Sequence, residues 1–370
     1  MNKTVYFDNN ATTPIAPEVR DVMLPFFGEL YGNPSSMHAF GGQIAKYVTR
    51  AREEVAAFLN CSPEEVIFTS CATESDNAAI RGTAEYYGPA TKIITSAVEH
   101  PAVLQPCRRL KALGHEVVEL PVNGVGQLDL EQLKSELKGT KNALVSIMWA
   151  NNETGTVFPI EEIAMICREA GAIFHTDAVQ VAGKIPVDVK KVPVDMLSMS
   201  GHKFHGPKGI GVLYVRKGLR LDTLIQGGAQ ERGQRAGTEN LAGIVGIGKE
   251  NDMAQGTLRI LQLPKAGEKS FLDEDTAAHG LDAEDLAALG LCRRGVLQIQ
   301  DDVRCGIDGQ DGNLVHWREN IDGTGRAEIR HVHLRPSALR RTGHRSGTVH
   351  HNRQGERVFA VFLTELQRDG

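Results

Sequence analysis

Between Val66 and Val215, short apolar runs alternate with longer amphipathic stretches, and this alternation constrains the fold more than any other feature of the chain. The runs fall at 66–68, 92–95, 116–120, 144–148, 173–175, 196–198 and 212–215, with helical patterns at about 74–87, 102–113, 129–137 and 159–170. A parallel connection between strands needs a crossover, usually a helix, so this order predicts a mostly parallel sheet covered on both faces. The expected class is α/β, with seven strands sandwiched by helices. Upstream, residues 5–7 read as a strand, and 17–30 and 43–59 as helices. Ligands of such sheets bind beyond the carboxyl ends of the strands, so the chemistry is expected in the loops that follow strands.

Five of those loops carry polar groups of a consistent kind. Thr69-Ser70-Cys71-Ala72-Thr73-Glu74-Ser75 joins a strand to a helix, where small residues and unpaired backbone N–H groups suit a phosphate. Simple N-capping by Ser70 or Thr73 would explain the same residues. His100, in Glu99-His100-Pro101, can stack on a ring or move a proton, or serve only as a structural histidine, and Pro101 can open the next helix. Asn151-Asn152-Glu153-Thr154-Gly155 offers directed hydrogen bonds, or a turn. Asp177, in His175-Thr176-Asp177-Ala178-Val179-Gln180, places a carboxylate just past an apolar strand, where it is costly unless paired. A helix N-cap is one such use. Holding the ring N–H of pyridoxal 5′-phosphate is another. Finally Ser200-Gly201-His202-Lys203-Phe204-His205 sets a lysine between two histidines after a strand. A lysine there is a solvated loop residue unless desolvation and nearby cations lower its pKa enough for it to form a Schiff base with a carbonyl.

Composition narrows the alternatives. With 370 residues, 41% hydrophobic and 24% charged, the chain can bury a large core, and two domains are the expectation. A net charge of −5 makes no case for nucleic acid, and no apolar run reaches the roughly 20 residues of a membrane helix. Six cysteines without a CxxC pair, and no signal-peptide pattern, make a reducing cytoplasmic setting the expectation.

The five loops, together with Asp8-Asn9-Asn10-Ala11-Thr12-Thr13, Tyr31-Gly32-Asn33-Pro34-Ser35-Ser36 and Gln230-Glu231-Arg232-Gly233-Gln234-Arg235-Ala236-Gly237-Thr238-Glu239-Asn240, closely resemble the class V aminotransferase-like enzymes. Within these they are most similar to the cysteine desulfurases of nitrogen fixation and iron–sulfur-cluster assembly, over about residues 4–249. The resemblance implies the fold type I of pyridoxal-phosphate-dependent transferases, with residues 1–250 as the large cofactor domain and the first dozen packing with a smaller one. It implies Lys203 as the Schiff-base lysine and base, His100 as ring stacker and proton carrier, and Asp177 as partner of the ring nitrogen. Asn152 and Gln180 would contact the ring hydroxyl. Ala72, Thr73, Ser200, Gly201 and His202 would cradle the phosphate. Thr238 would reach the cofactor of a second subunit, hence a homodimer. Asn10 and Asn152 would bind the substrate, L-cysteine. The products would be L-alanine and a persulfide passed to an iron–sulfur scaffold or other acceptor protein.

From 251 to 370 the resemblance is lost. The family's serine- and glycine-rich loop with its nucleophilic cysteine, and its substrate-binding arginine, have no counterpart in sequence. Cys292 and Cys305 are weak candidates for the thiol. Residues 271–370 hold thirteen Arg and no Lys, against eleven Arg and fourteen Lys in 1–250. That shift marks the segment as a changed reading frame or fusion, atypical or poorly ordered, with a divergent small domain as the alternative. A helix at 282–289 and a strand or helix at 358–363 are its candidate elements. His331, His333, His350 and His351 lack the partners a metal site needs, so no metal is expected. The expectation is slow, weak engagement of L-cysteine by the cofactor, with little or no alanine formed. A selenocysteine lyase, a β-eliminase or an inactive cofactor-binding dimer are the alternatives.

Overall fold

The computed structural model describes Tyr6, residues 8–261 and four short strands beyond them; for 255–261 and those strands it describes the backbone. The chain divides into two units, one of Asn10–Gln262 and one of Met1–Asn9 with Leu263–Gly370. In the second unit, β8 (Val303–Ile307) pairs with β9 (Leu314–Arg318), and β10 (Val349–His351) with β11 (Arg357–Phe359), both antiparallel. Of the candidate strand at 5–7 only Tyr6 is described, in no strand; the helix at 282–289 and most of 358–363 lie outside the described residues.

The first unit is built on a seven-stranded sheet: β1 (Val66–Thr69), β2 (Lys92–Ser96), β3 (Val117–Leu120), β4 (Ala143–Ser146), β5 (Ile173–Asp177), β6 (Met196–Ser200) and β7 (Gly211–Val215), in the order β1-β7-β6-β5-β4-β2-β3. From β6 through β3 every neighbouring pair is parallel. β7 is antiparallel to both β6 and β1. Two reversals restore direction, so β1 runs the same way as β6. The carboxyl ends of β1, β2, β4, β5 and β6 therefore lie on one edge of the sheet, and all five polar loops emerge there.

Successive side chains along each strand go to opposite faces, and both faces are buried. Ile67, Ile93, Leu144, Met196 and Leu213 join one cluster, with Ile80 and Val103 from α3 (Ala72–Tyr87) and α4 (Pro101–Ala112). Their neighbours Phe68, Ile94, Val145, Leu197 and Tyr214 join the other. That second face is covered by α2 (Ala39–Leu59), α5 (Leu130–Leu137), α6 (Ile160–Ala170) and α7 (Leu241–Leu261), through residues such as Val55, Leu133, Ile163 and Ile247. Two buried faces explain why the strands read as continuous apolar runs.

The expected helix at 17–30 is shorter: α1 is Pro17–Met23 and a 3₁₀ turn follows at Leu24–Phe27. Pro25 has no N–H for an α-helical bond, which ends the helix there. α2 begins four residues before its expected start, where the Nδ1 of His38 accepts the Gly41 amide at 3.2 Å and caps it.

Candidate active site

The turn after β1 leads directly into α3. Its N-cap is Cys71, whose side chain makes no capping bond, and neither Ser70 nor Thr73 takes that place. The amides of Glu74 and Ser75 are used by the Cys71 carbonyl, at 3.1 and 3.2 Å. Those of Ala72 and Thr73 precede the first intrahelical bond, and they are the orphan donors of a helix N-terminus. The start of β7 is pressed against this turn: a Cβ at Gly211 would fall 2.6 Å from the Cys71 carbonyl carbon and 2.9 Å from the Ala72 nitrogen. Only glycine lets the strand and the donor turn approach so closely.

His100 caps α4, with Pro101 in the first helical turn as the sequence led us to expect. Its Nδ1 accepts the Ala102 amide at 3.1 Å, so the neutral ring carries its proton on Nε2. The residue is exposed, ready to meet a ligand. After β4 the two asparagines have separate tasks. Asn151 is buried and structural: its Nδ2 donates to the Val98 carbonyl at 2.9 Å, and its Oδ1 accepts the Glu153 and Thr154 amides, both at 2.9 Å. Asn152 is half-buried and its Nδ2 donates to Glu153 at 2.6 Å. The turn and the binding reading of this loop thus fall to different residues.

Asp177 ends β5 and is 6% exposed. The Val179 amide donates to its Oδ1 at 2.9 Å in a turn that no helix follows, so Asp177 is not a helix N-cap. Burial raises its pKa, opposed by the Val179 N–H and by the positive charges of His100 and Lys203. Two further buried carboxylates share the neighbourhood. Glu99, pushed to about 8 by burial, accepts from the Ser96 hydroxyl at 2.6 Å and the Met148 amide at 3.0 Å. Asp76 is raised well above the usual carboxylate range by burial and then by Asp177. His175, held neutral by burial with a pKa of about 3, bridges the hydroxyls of Ser146 and Ser198 at 2.8 and 2.9 Å. Burial thus favours the neutral forms of both Glu99 and His175.

Lys203 ends the 3₁₀ turn Gly201–Lys203 that follows β6. Its Nζ donates to the carbonyls of Asn10 and Ala11 at 2.5 and 3.0 Å. The Asn10 carbonyl also accepts the Gln180 amide at 3.0 Å. His202, its pKa lowered by burial and then by Lys203 and Lys208, meets the Thr12 hydroxyl at 3.1 Å. Ser200 is 2% exposed. Thr238 stands elsewhere, exposed on a cavity of about 270 Å³ with Phe27, Tyr31 and Asn33 in its wall.

Ala72, Thr73, His100, Asn152, Asp177, Gln180, Ser200, Gly201, His202 and Lys203 thus share one edge of the sheet. The sequence pattern of the family described as "Aminotransferase class-V" matches residues 5–266. The chain belongs to the class V aminotransferase family. It is 57% identical over 249 residues to a cysteine desulfurase of Trichormus azollae, covering 67% of this chain and 62% of that protein. To the cysteine desulfurase NifS of Azotobacter vinelandii it is 52% identical over 245 residues, 66% of this chain and 61% of that one. The chain therefore spans less than two thirds of the length of these relatives. Among solved structures, a NifS-like protein aligns with a TM-score of 0.68 at 44% identity, covering 70% of this chain and 72% of that one. The structure titled "SspA in complex with cysteine" aligns at 0.65 and 33% identity, covering 86% and 84%. The mostly parallel sheet that the alternating pattern predicts is thus built into the class V fold that the resemblance implies, and the cofactor of the family is pyridoxal 5′-phosphate.

The residues present fit that group. The open first turn of α3, which Gly211 allows β7 to approach, suits a phosphate. The buried Asp177 carboxylate suits a ring N–H, and the Lys203 amine an aldehyde. Among the described residues no three metal-ligating side chains converge. No helix among them is long and apolar enough to cross a membrane.

Proposed function

We propose that the protein is a pyridoxal-5′-phosphate-dependent enzyme of the cysteine desulfurase kind, acting on L-cysteine. The observation that carries this reading is the meeting of Lys203, Asp177 and His100 with the open N-terminus of α3 at one sheet edge; the names of its class V relatives supply the substrate. When bound, the cofactor supplies an aldehyde and an electron-withdrawing ring. The chain's own part is to hold and to move protons. Amides of Ala72 and Thr73, with Ser200, Gly201 and His202, hold the phosphate. Asp177 balances the ring N–H, and Asn152 and Gln180 direct hydrogen bonds to the ring hydroxyl. His100 covers the ring and offers Nε2–H. Lys203 Nζ provides the covalent attachment and then the base for the α-hydrogen of the substrate, which Asn10 and Asn152 help to seat.

Sulfur transfer needs a thiolate about 3–3.5 Å from the substrate sulfur. Burial pushes the thiols of Cys61 and Cys107 up to about 12 and raises that of Cys167 too, which makes them poor nucleophiles. Cys292 and the side chain of Cys305 lie outside the described residues. We therefore expect the α-carbon chemistry to outrun sulfur release. The cofactor-loaded protein incubated with L-cysteine in D₂O should exchange the α-hydrogen, with little or no alanine released, because alanine leaves only as a thiolate takes the sulfur. Pyruvate and ammonia in place of alanine would favour a β-eliminase, and no exchange at all would defeat the reading.

A homodimer belongs to the same proposal. Phe27 is 72% and Tyr31 74% exposed, and both line the cavity that Thr238 lines. Large apolar side chains grouped in this way suit an interface. Sedimentation equilibrium should give twice the chain mass of 40.2 kDa, and a monomer at micromolar concentration would contradict it.

A further inference from the structure

Lys184 is a second lysine close to Lys203, in the turn that follows β5. Gly183 sets its position: the glycine has φ +73°, and a Cβ there would lie 2.7 Å from the Cβ of Phe204, the residue after Lys203. The turn can thus seat against the lysine loop. Lys184 Nζ donates to Gln180 Oε1 at 2.9 Å. An ammonium can only donate, so the carboxamide must present its oxygen to Lys184 and its NH₂ elsewhere. That NH₂ donates to the Asn10 carbonyl at 3.0 Å, the same oxygen that receives Lys203 Nζ.

We propose that Lys184 is a positioning residue for the site: it fixes the Gln180 amide in the one orientation that serves the Asn10 carbonyl and places a second positive charge beside Lys203. The inference rests on the reading of Lys203 as the cofactor lysine. Lys184 is half-buried, and its pKa falls to about 8 through burial and then through the charge of Lys203. Repulsion between two cations is mutual, so Lys184 disfavours the ammonium form of Lys203 in turn. Among the described residues, the other charged or titratable groups against the Lys203 loop are Asp177 from β5, which favours the ammonium, His100 at the start of α4, which bears with Lys203 on Asp177, Glu250 from α7, whose carboxylate lies beside Gly206, and His202, His205 and Lys208 on the loop itself. The carbonyls of Asn10 and Ala11 also favour the ammonium, and Lys184 opposes them.

Only the neutral amine attacks an aldehyde; its nitrogen bonds the aldehyde carbon, and the aldehyde oxygen leaves as water. The rate of capture against pH therefore reads the Lys203 amine. The apoprotein is mixed with pyridoxal 5′-phosphate over a series of pH values, trapped with borohydride, and the adduct at Lys203 is quantified by peptide mass. K184M should slow capture at pH 7 by about tenfold, the effect of losing one close like charge, with the difference closing as the pH rises past about 8, where Lys184 gives up its own proton. K184R should keep the wild-type rate at pH 7. K184Q, which retains a donor without the charge, should slow capture at pH 7 as K184M does, and it carries the test where K184M does not fold. An adduct at Lys203 formed at the same rate at pH 7 in wild type, K184M and K184Q would overturn the role of Lys184 alone. No adduct at Lys203 in the wild type would overturn the cofactor reading, and this inference with it.

Discussion

Arg52→Ala should cost the protein about 3–5 kcal/mol of stability, the range for breaking a buried ion pair from one side. Arg52 in α2 donates through Nη1 and Nη2 to Glu231 at 2.7 and 2.6 Å, and Nη1 also reaches the Val66 carbonyl at 2.8 Å. The side chains are 12% and 3% exposed. Glu231 Oε2 accepts the Phe68 amide at 3.0 Å, and the guanidinium lies 4.6 Å from the Phe68 ring centroid. Without Arg52 a buried anion keeps one amide as partner and loses its counter-ion. The backbone adds to the effect, because Glu231 and Arg232 both sit at positive φ, 46° and 58°, a strained state for non-glycine residues. The pair holds that strain in place, together with Arg235, whose Nε and Nη2 donate to Glu74 at the start of α3 at 2.8 and 3.1 Å. Urea unfolding should show the midpoint fall sharply, whereas Arg52→Lys, unable to pair in a bidentate way, should lose less. A loss under about 1 kcal/mol for Arg52→Ala would mean that the pair is replaced by solvent at little cost, as exposed pairs are.

Lys203→Ala should abolish covalent retention of pyridoxal 5′-phosphate and slow α-hydrogen exchange of L-cysteine by about 10²–10⁴, the contribution of a positioned acid–base group. The case rests on placement. Lys203 lies one turn after β6, held by two carbonyls within reach of Asp177. Lys208 is exposed, and Lys184 is engaged by Gln180. Lys203→Arg should fail equally, since a guanidinium keeps the charge but is no nucleophile at these pH values. Exchange at the wild-type rate in Lys203→Ala would transfer the role of base to another group.

Much of the sheet could be read from the chain because both of its faces are buried and apolar pairs such as Ile93 and Ile94 stand side by side. The strand ends were harder. β2, β5 and β6 each run one or two residues further than expected, to Ser96, Asp177 and Ser200, since pairing continues into polar residues that look like loop. α7 gave no clear signal: its glycines weaken helix propensity, and two of them serve packing, Gly246 against Met23 and Gly248 against Ala51. At the site, the resemblance pointed to residues the sheet does bring to one edge, and to Thr238, which stands elsewhere. It left out Lys184 and Arg52. Lys184 and Gln180 are four apart in a turn that is no regular helix, and Arg52 and Glu231 are 179 residues apart, so no local pattern could have joined them. The polar turn after β1 illustrates a local ambiguity that only coordinates resolve. Its Ser70 and Thr73 could each cap α3, yet the N-cap is Cys71 and the donors stay open.

The most direct test of the account is to load the wild-type protein with pyridoxal 5′-phosphate, reduce it with borohydride and map the adduct by mass spectrometry. A protein that is yellow when loaded, is bleached by borohydride and then carries one reduced adduct per chain, on the peptide containing Lys203, is the predicted result. An adduct on Lys184 or Lys208, or none at all, would contradict the assignment of the sheet edge as a cofactor site built around Lys203.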